Sequence, residues 1–155
     1  MTAFELPDGL SFNRGPVADP KAFAEDAGAA SWLFLCGDEF AAMEGGISFD
    51  QVRAAVPVAE NIVSDPPRPL DVDKVRKAAE ALDRMPRPTL VTCRAGPRSS
   101  AFVYAYAGVK AGASADDVLA RADADEAPFA ANDELRAFVR QAMDELAAEG
   151  LAGTS

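Results

Sequence analysis

The segment from residue 89 to residue 109 most constrains the fold, because a strand-like run leads through a short loop into a helical pattern. Residues 89–92 have the length and apolar character of a short buried strand, and residues 101–109 have a helical pattern. Between them lies the loop Cys93-Arg94-Ala95-Gly96-Pro97-Arg98-Ser99-Ser100. A strand that runs into a helix is typical of parallel-sheet α/β proteins, whose sites lie at the carboxyl ends of strands.

The other apolar and capping patterns predict the same class. Strands are predicted at 31–35 and, more weakly, at 61–63, whereas residues 1–15 look extended and loop-like and 65–69 form a proline-rich loop. Helices are predicted at 21–26, 48–54, 73–85, 116–123 and 133–148, and one after the cysteine loop that ends near Gly112. We expect one three-layer α/β domain over residues 1–155, with its core at about 9–148 and a short central parallel sheet flanked by helices.

Composition excludes several classes of function. The 155 residues are 49% hydrophobic and carry a net charge of −10, which argues against nucleic acid and anionic membranes as partners. The sequence has no histidine, so no zinc site and no Ser-His-Asp or Cys-His pair is expected, and we predict no metal and no cofactor. Without a membrane-length apolar run or a leader at its start, the chain is expected to be cytoplasmic. The sequence leaves the oligomeric state open.

The cysteine loop predicts a nucleophile in an anion-binding site. Cys93 lies where a helix begins, so free backbone N–H groups and the helix dipole favour a thiolate there. Arg98 is predicted to hold an oxyanion through its planar guanidinium. The other predicted contacts to a small anionic substrate come from Arg94, Ala95, Gly96, Ser99 and Ser100. Cys36 follows an apolar strand and is expected in the core.

The loop resembles the active-site loop shared by rhodanese sulfurtransferases and cysteine-based phosphatases. The phosphatase pattern His-Cys-x-x-Gly-x-x-Arg places its arginine six positions after the cysteine, where this chain has Ser99, and Thr92 replaces the histidine. The shorter rhodanese form Cys-Arg-x-Gly-x-Arg matches residues 93–98 at each position. The phosphatase-like domain found beside β-lactamase-like hydrolases also has the shorter loop, and its layout is similar to residues 9–124.

The resemblance implies two enzyme activities. In a sulfurtransferase, Cys93 takes a sulfur atom from thiosulfate or a small persulfide and holds it as a persulfide. In a phosphatase, Cys93 forms a cysteinyl phosphate, Arg98 binds the phosphoryl oxygens, and Asp65 protonates the leaving alcohol. The short loop and the missing histidine favour sulfur transfer as the first expectation, with the phosphatase as the alternative. A domain that binds an anion or a partner without turnover is the third possibility.

Overall fold

A computed structural model describes residues 4–65 and 68–150. Its sheet has four parallel strands in the order β1-β4-β2-β3, namely β1 (Leu10–Phe12), β2 (Ser31–Phe34), β3 (Val58–Asn61) and β4 (Thr89–Thr92). The helices in this part of the chain are α1 (Pro20–Ala27), α2 (Asp38–Ala41), α3 (Phe49–Ala55), α4 (Val72–Arg84), α5 (Pro97–Ala111), α6 (Ala115–Ala124) and α7 (Asp133–Ala148), with a 3-10 turn at Pro128–Ala131. The predicted α/β class with a short parallel sheet is confirmed.

Several boundaries differ from those predicted. Strand β1 lies within the segment expected to be loop, because three residues are too few to show an alternating pattern. Strand β3 begins at Val58, three residues before the predicted strand, and α2 and the 3-10 turn were not predicted. Pro66, Pro67 and the two ends of the expected domain, residues 1–3 and 151–155, lie outside the described residues.

The sheet buries both faces, as a parallel sheet covered by helices must. Leu33 of β2, Leu35 just after it and Val91 of β4 pack into the cluster formed with α4, α5, α6 and α7. Trp32, Phe34 and Leu90 pack on the opposite face, against residues of α1 and α3. No helix among the described residues is long and apolar enough to cross a membrane.

Helix α5 is the central helix of the larger cluster. All of its residues from Ser99 to Val109 are buried, because it packs between the sheet and the outer helices. A helix that is apolar on every side needs such a position. The loop before α5 is therefore held at both ends, by strand β4 and by the most buried helix of the domain.

The register brings the ends of neighbouring strands together. Phe12 of β1 is opposite Val91 of β4, and Thr92 of β4 is opposite Phe34 of β2. The carboxyl ends of these three adjacent strands therefore lie together, and they lead into Asn13, Cys93 and the segment that contains Cys36. Open α/β sheets bind their ligands at the carboxyl ends of their strands.

Candidate active site

The sulfur atom of Cys93 lies at the N-terminus of α5. It accepts hydrogen bonds from the backbone N–H groups of Gly96, at 3.1 Å, and Ser99, at 3.3 Å. The thiol also lies 3.4 Å from the Ser99 hydroxyl oxygen. Donors that converge on a sulfur at the positive end of a long helix favour a negative charge on that sulfur. The structure therefore places Cys93 at the start of this helix, and its role as a nucleophile stays a prediction.

The sharp turn after Cys93 requires a glycine. Gly96 has φ +118°, and a Cβ atom added there would lie 2.3 Å from the backbone oxygen of Asn13. Pro97 follows at the first helical position, where a missing N–H group removes no intrahelical hydrogen bond. The loop thus approaches the end of β1 closely, and any larger residue at position 96 would push it away.

Asn13 fixes the backbone of Cys93, and the sequence analysis did not identify it. Its side-chain oxygen accepts from the Cys93 N–H at 3.2 Å, and its side-chain nitrogen donates to the Cys93 carbonyl at 3.0 Å. The same oxygen accepts from the Ser99 hydroxyl at 2.7 Å, and Asn13 is only 1% exposed. The two residues are 80 positions apart, so no local pattern links them.

Arg98 lines the cavity in front of Cys93 and also anchors the loop after β3. Its Nη1 atom donates to the backbone oxygens of Ser64 and, at 2.9 Å, Arg68. Among the described residues, no protein atom accepts a hydrogen bond from its Nε or Nη2. Burial lowers the pKa of Arg98, and the charge of Asp65 opposes that shift. One edge of the guanidinium is therefore used by the protein, and the other is available to an anion.

Asp65 lies in the same cavity, fully buried, with both of its oxygens hydrogen-bonded. Oδ2 accepts from Arg94 Nε at 2.8 Å. Oδ1 accepts from Arg68 Nη1 at 3.0 Å and from the Gly37 N–H at 3.1 Å. The carboxylate thus joins the cysteine loop, the loop after β3 and the start of α2. Its role as a general acid remains a prediction.

The remaining predicted residues divide into two groups. Arg94 and Ala95 line the cavity, and the Arg94 guanidinium also lies over the ring of Phe40. Ser99 is buried beneath the sulfur atom, next to Gly96. Ser100 faces another way, because its hydroxyl donates to the Pro97 carbonyl and accepts from the Phe129 N–H. The hydroxyl of Ser100 therefore joins α5 to the 3-10 turn, and its predicted contact to an anion stays a prediction.

The cavity has a volume of about 320 Å³. It is lined by Asp65, Leu70, Cys93, Arg94, Ala95, Pro97, Arg98, Asn132, Glu134 and Leu135. The last three of these residues come from the start of α7, far from the loop in sequence, and were not predicted. Among the described residues, no group of three or more His, Cys, Asp or Glu side chains is placed to hold a metal ion.

Cys36 follows β2 but belongs to the other side of the sheet. It is 1% exposed and packs with Trp32 and Phe34, whereas Cys93 belongs to the cluster around α5. Burial raises the pKa of the Cys36 thiol well above its usual value, and the negative charge of Asp65 adds to the shift. Cys36 is therefore a neutral core residue, as its sequence position predicted.

Structural comparison places the chain among known folds. No protein-family profile and no curated protein matches the sequence. The active form of Tk-PTP superposes with a TM-score of 0.67 at 19% identity over 92% of this chain and 96% of that protein. The core catalytic domain of the PP-IP phosphatase SIW14 from S. cerevisiae, in complex with citrate, gives 0.63 at 12% identity over 96% and 91%. The Yvh1 phosphatase domain from Chaetomium thermophilum gives 0.61 at 16% identity over 96% of both chains.

These similarities cover 92% to 96% of this chain. Identities this low carry information about the fold and not about the substrate. The matched proteins are phosphatases, so the narrower resemblance to a domain beside β-lactamase-like hydrolases is not what the comparison supports. The domain has a cysteine-phosphatase-like fold.

Proposed function

We propose that the chain is a cysteine-dependent phosphatase that acts on a small anionic phosphoester. The observation that carries the proposal is the set of two backbone N–H groups directed at Cys93 Sγ, at the start of a buried helix. Two arginines, Arg94 and Arg98, line the same cavity. The phosphatase-like fold supports this activity over sulfur transfer, which the short loop, Arg94 and the missing histidine favoured.

The site suits an in-line attack on phosphorus. The Cys93 thiolate attacks the phosphoryl group and forms a cysteinyl phosphate, while the bond to the leaving oxygen breaks. Arg98 holds phosphoryl oxygens through the edge that the protein does not use, and Arg94 adds a second positive charge. Because the chain has a net charge of −10, this pair of arginines attracts the substrate locally and not through the overall field.

Sulfur transfer is the second candidate, and one observation favours it. Arg98 follows Cys93 by five positions, and the sixth position holds Ser99, whose side chain is buried beneath the sulfur atom. The arginine therefore reaches the cavity from a shorter loop than the phosphatase pattern has. A shorter loop encloses a transferred sulfur atom more readily than a phosphoryl group with three oxygens.

A paired assay separates the two candidates. Purified protein is given an aryl phosphate in one reaction, and thiosulfate with cyanide in the other. We expect phosphate release, and we expect Cys93→Ser to lose at least about 10³-fold in kcat/KM because the nucleophile is removed. The matched control is Cys36→Ser, which should retain activity. Thiocyanate formation without phosphate release, or phosphate release that Cys93→Ser leaves unchanged, would contradict the proposal.

A further inference from the structure

Two carboxyl groups line the cavity, and their surroundings differ. Asp65 is fully buried, and its two oxygens accept three hydrogen bonds, from Arg94, Arg68 and the Gly37 N–H. A proton donor must present an O–H group to the leaving oxygen. Asp65 can do so only if one of its oxygens gives up hydrogen bonds that it accepts in the structure, and a fully buried carboxyl group breaks such contacts at a cost in stability.

Glu134 is in the opposite situation. It lies in the first turn of α7, is exposed to solvent, and lines the cavity together with Cys93 and Arg98. Within residues 4–65 and 68–150, no side chain forms a hydrogen bond or an ion pair with it. Its charge nevertheless acts on Arg98: burial lowers the pKa of the guanidinium, and the negative charge of Glu134 is among those that oppose this shift. A proton transfer that involves this carboxyl group would therefore break no hydrogen bond or ion pair with a described side chain.

We propose that Glu134 is the catalytic acid and base of this site and that Asp65 is a positioning residue that holds Arg94 at the substrate. The inference rests on the proposed phosphatase function. Paired carboxyl groups with contrasting environments take different roles in other enzymes for the same reason: one stays ionised in a network of donors while the other exchanges protons.

The chemical steps balance through Glu134. In the first step, Cys93 Sγ bonds to phosphorus, the bond from phosphorus to the leaving oxygen breaks, and the proton of the Glu134 carboxyl group moves to that oxygen. In the second step, a water oxygen bonds to phosphorus, its proton moves to the Glu134 carboxylate, and the sulfur leaves as a thiolate. Inorganic phosphate and an alcohol are released, and both side chains return to their starting states.

The test for Glu134 uses the full chain and a series of phosphoesters with progressively poorer leaving groups, from an aryl phosphate with an acidic phenol to an alkyl phosphate. A poor leaving group needs a proton and a good one does not. We expect Glu134→Gln to lose on the order of 10²-fold in kcat with alkyl phosphates but little with the activated aryl phosphate. The control is Asp133→Asn, which removes an exposed charge from the same first turn of α7 and should have no such dependence.

The kinetic effect expected of Asp65 differs from that of Glu134, because it should not depend on the leaving group. Asp65→Asn should raise KM by a similar factor, about tenfold, for every ester in the series, because the loss of Arg94 alignment does not depend on the leaving group. When Asp65→Asn is added to Arg94→Met, KM should rise little further, because both substitutions remove the same contact. Thermal unfolding of each variant shows whether it is folded. Phosphatase activity is measured first in wild type and in Cys93→Ser. Activity that wild type has and Cys93→Ser lacks establishes the phosphatase, so a failure of the proposed function is distinguished from a failure of the Glu134 assignment.

A leaving-group-dependent loss in Asp65→Asn together with none in Glu134→Gln would overturn the assignment and make Asp65 the general acid. Unchanged kinetics in Glu134→Gln over the whole series would also overturn it.

Discussion

The two cysteines follow adjacent parallel strands, and the contacts of their backbone carbonyl groups are similar. Cys93 follows β4 directly, and Asn13 donates to its carbonyl oxygen at 3.0 Å. Cys36 comes just after β2, and Asn61 donates to its carbonyl oxygen, also at 3.0 Å. In each case an asparagine near the end of a neighbouring strand holds the cysteine backbone.

The segments that follow the two cysteines are different. The loop after Cys93 leads into α5, a helix of 15 residues. The N–H groups of Gly96, just before this helix, and of Ser99, in its first turn, are directed at the sulfur. After Cys36 comes α2, with four residues, and the intervening N–H group of Gly37 donates to Asp65. We infer from this comparison that the helix that starts after the strand, and not the strand, decides whether the thiol at the end of the strand is reactive.

The largest expected difference between the two thiols is their rate of alkylation. Both cysteines are buried, but Cys93 lines the cavity and Cys36 does not. Iodoacetamide should therefore modify Cys93 at least about 10²-fold faster than Cys36 at neutral pH, where Cys36 remains protonated because burial raises the pKa of its thiol. Peptide mass spectrometry of Cys36→Ser and Cys93→Ser, each with one thiol left, gives the two rates separately. Equal rates would show that the helix start does not distinguish the two sites.

The two asparagines allow a matched pair of variants. Asn13→Ala leaves the N–H and carbonyl groups of Cys93 without their side-chain partner. We expect the hydrogen bonds that hold Cys93 in place to lose about 2 kcal/mol, which corresponds to about 30-fold in kcat/KM and in the Cys93 alkylation rate. Asn61→Ala removes the corresponding contact at Cys36 and should leave both rates nearly unchanged. Both variants are first checked for folding by thermal unfolding. If Asn61→Ala slows Cys93 as much as Asn13→Ala, the effect is a general loss of stability.

The smallest effect concerns the stability of the protein at alkaline pH. The pKa of Cys36 is raised in the folded state, so above about pH 8.5 the unfolded chain loses a proton that the folded chain keeps, and stability falls as pH rises. Between pH 8.5 and 9.5 the free energy of unfolding of the wild type should fall by about 1 kcal/mol more than that of Cys36→Ala. Urea unfolding at a series of pH values measures the difference. Parallel curves for the two proteins would contradict a neutral buried Cys36.

Much of the fold was predictable because its signals are local. The apolar spacing of α4 and α7 and the apolar runs of β2 and β4 identified these elements to within a few residues. The cysteine loop was recognisable for the same reason. Strand β1 was missed because its three residues carry no periodicity, and the fold places it next to β4 through pairing with residues about 80 positions away.

The site was only partly predictable. Cys93, Arg94 and Arg98 lie within six residues and were identified together. The order of strands in the sheet brings Asn13 to the site, and the packing of α7 brings Glu134 there. No short sequence pattern encodes either arrangement. The preference for sulfur transfer came from the spacing within one loop, whereas the likeness to phosphatases comes from the arrangement of the whole chain.

Trapping the covalent intermediate tests the central claim most directly. Wild-type protein is mixed with an aryl phosphate, quenched within the first turnover and digested, and the peptides that contain Cys93 and Cys36 are weighed. A parallel sample is incubated with thiosulfate. Our interpretation predicts that the Cys93 peptide gains the mass of one phosphoryl group in the first sample and that the Cys36 peptide gains nothing. A Cys93 peptide that gains one sulfur atom from thiosulfate, and no phosphoryl group from the ester, would contradict it.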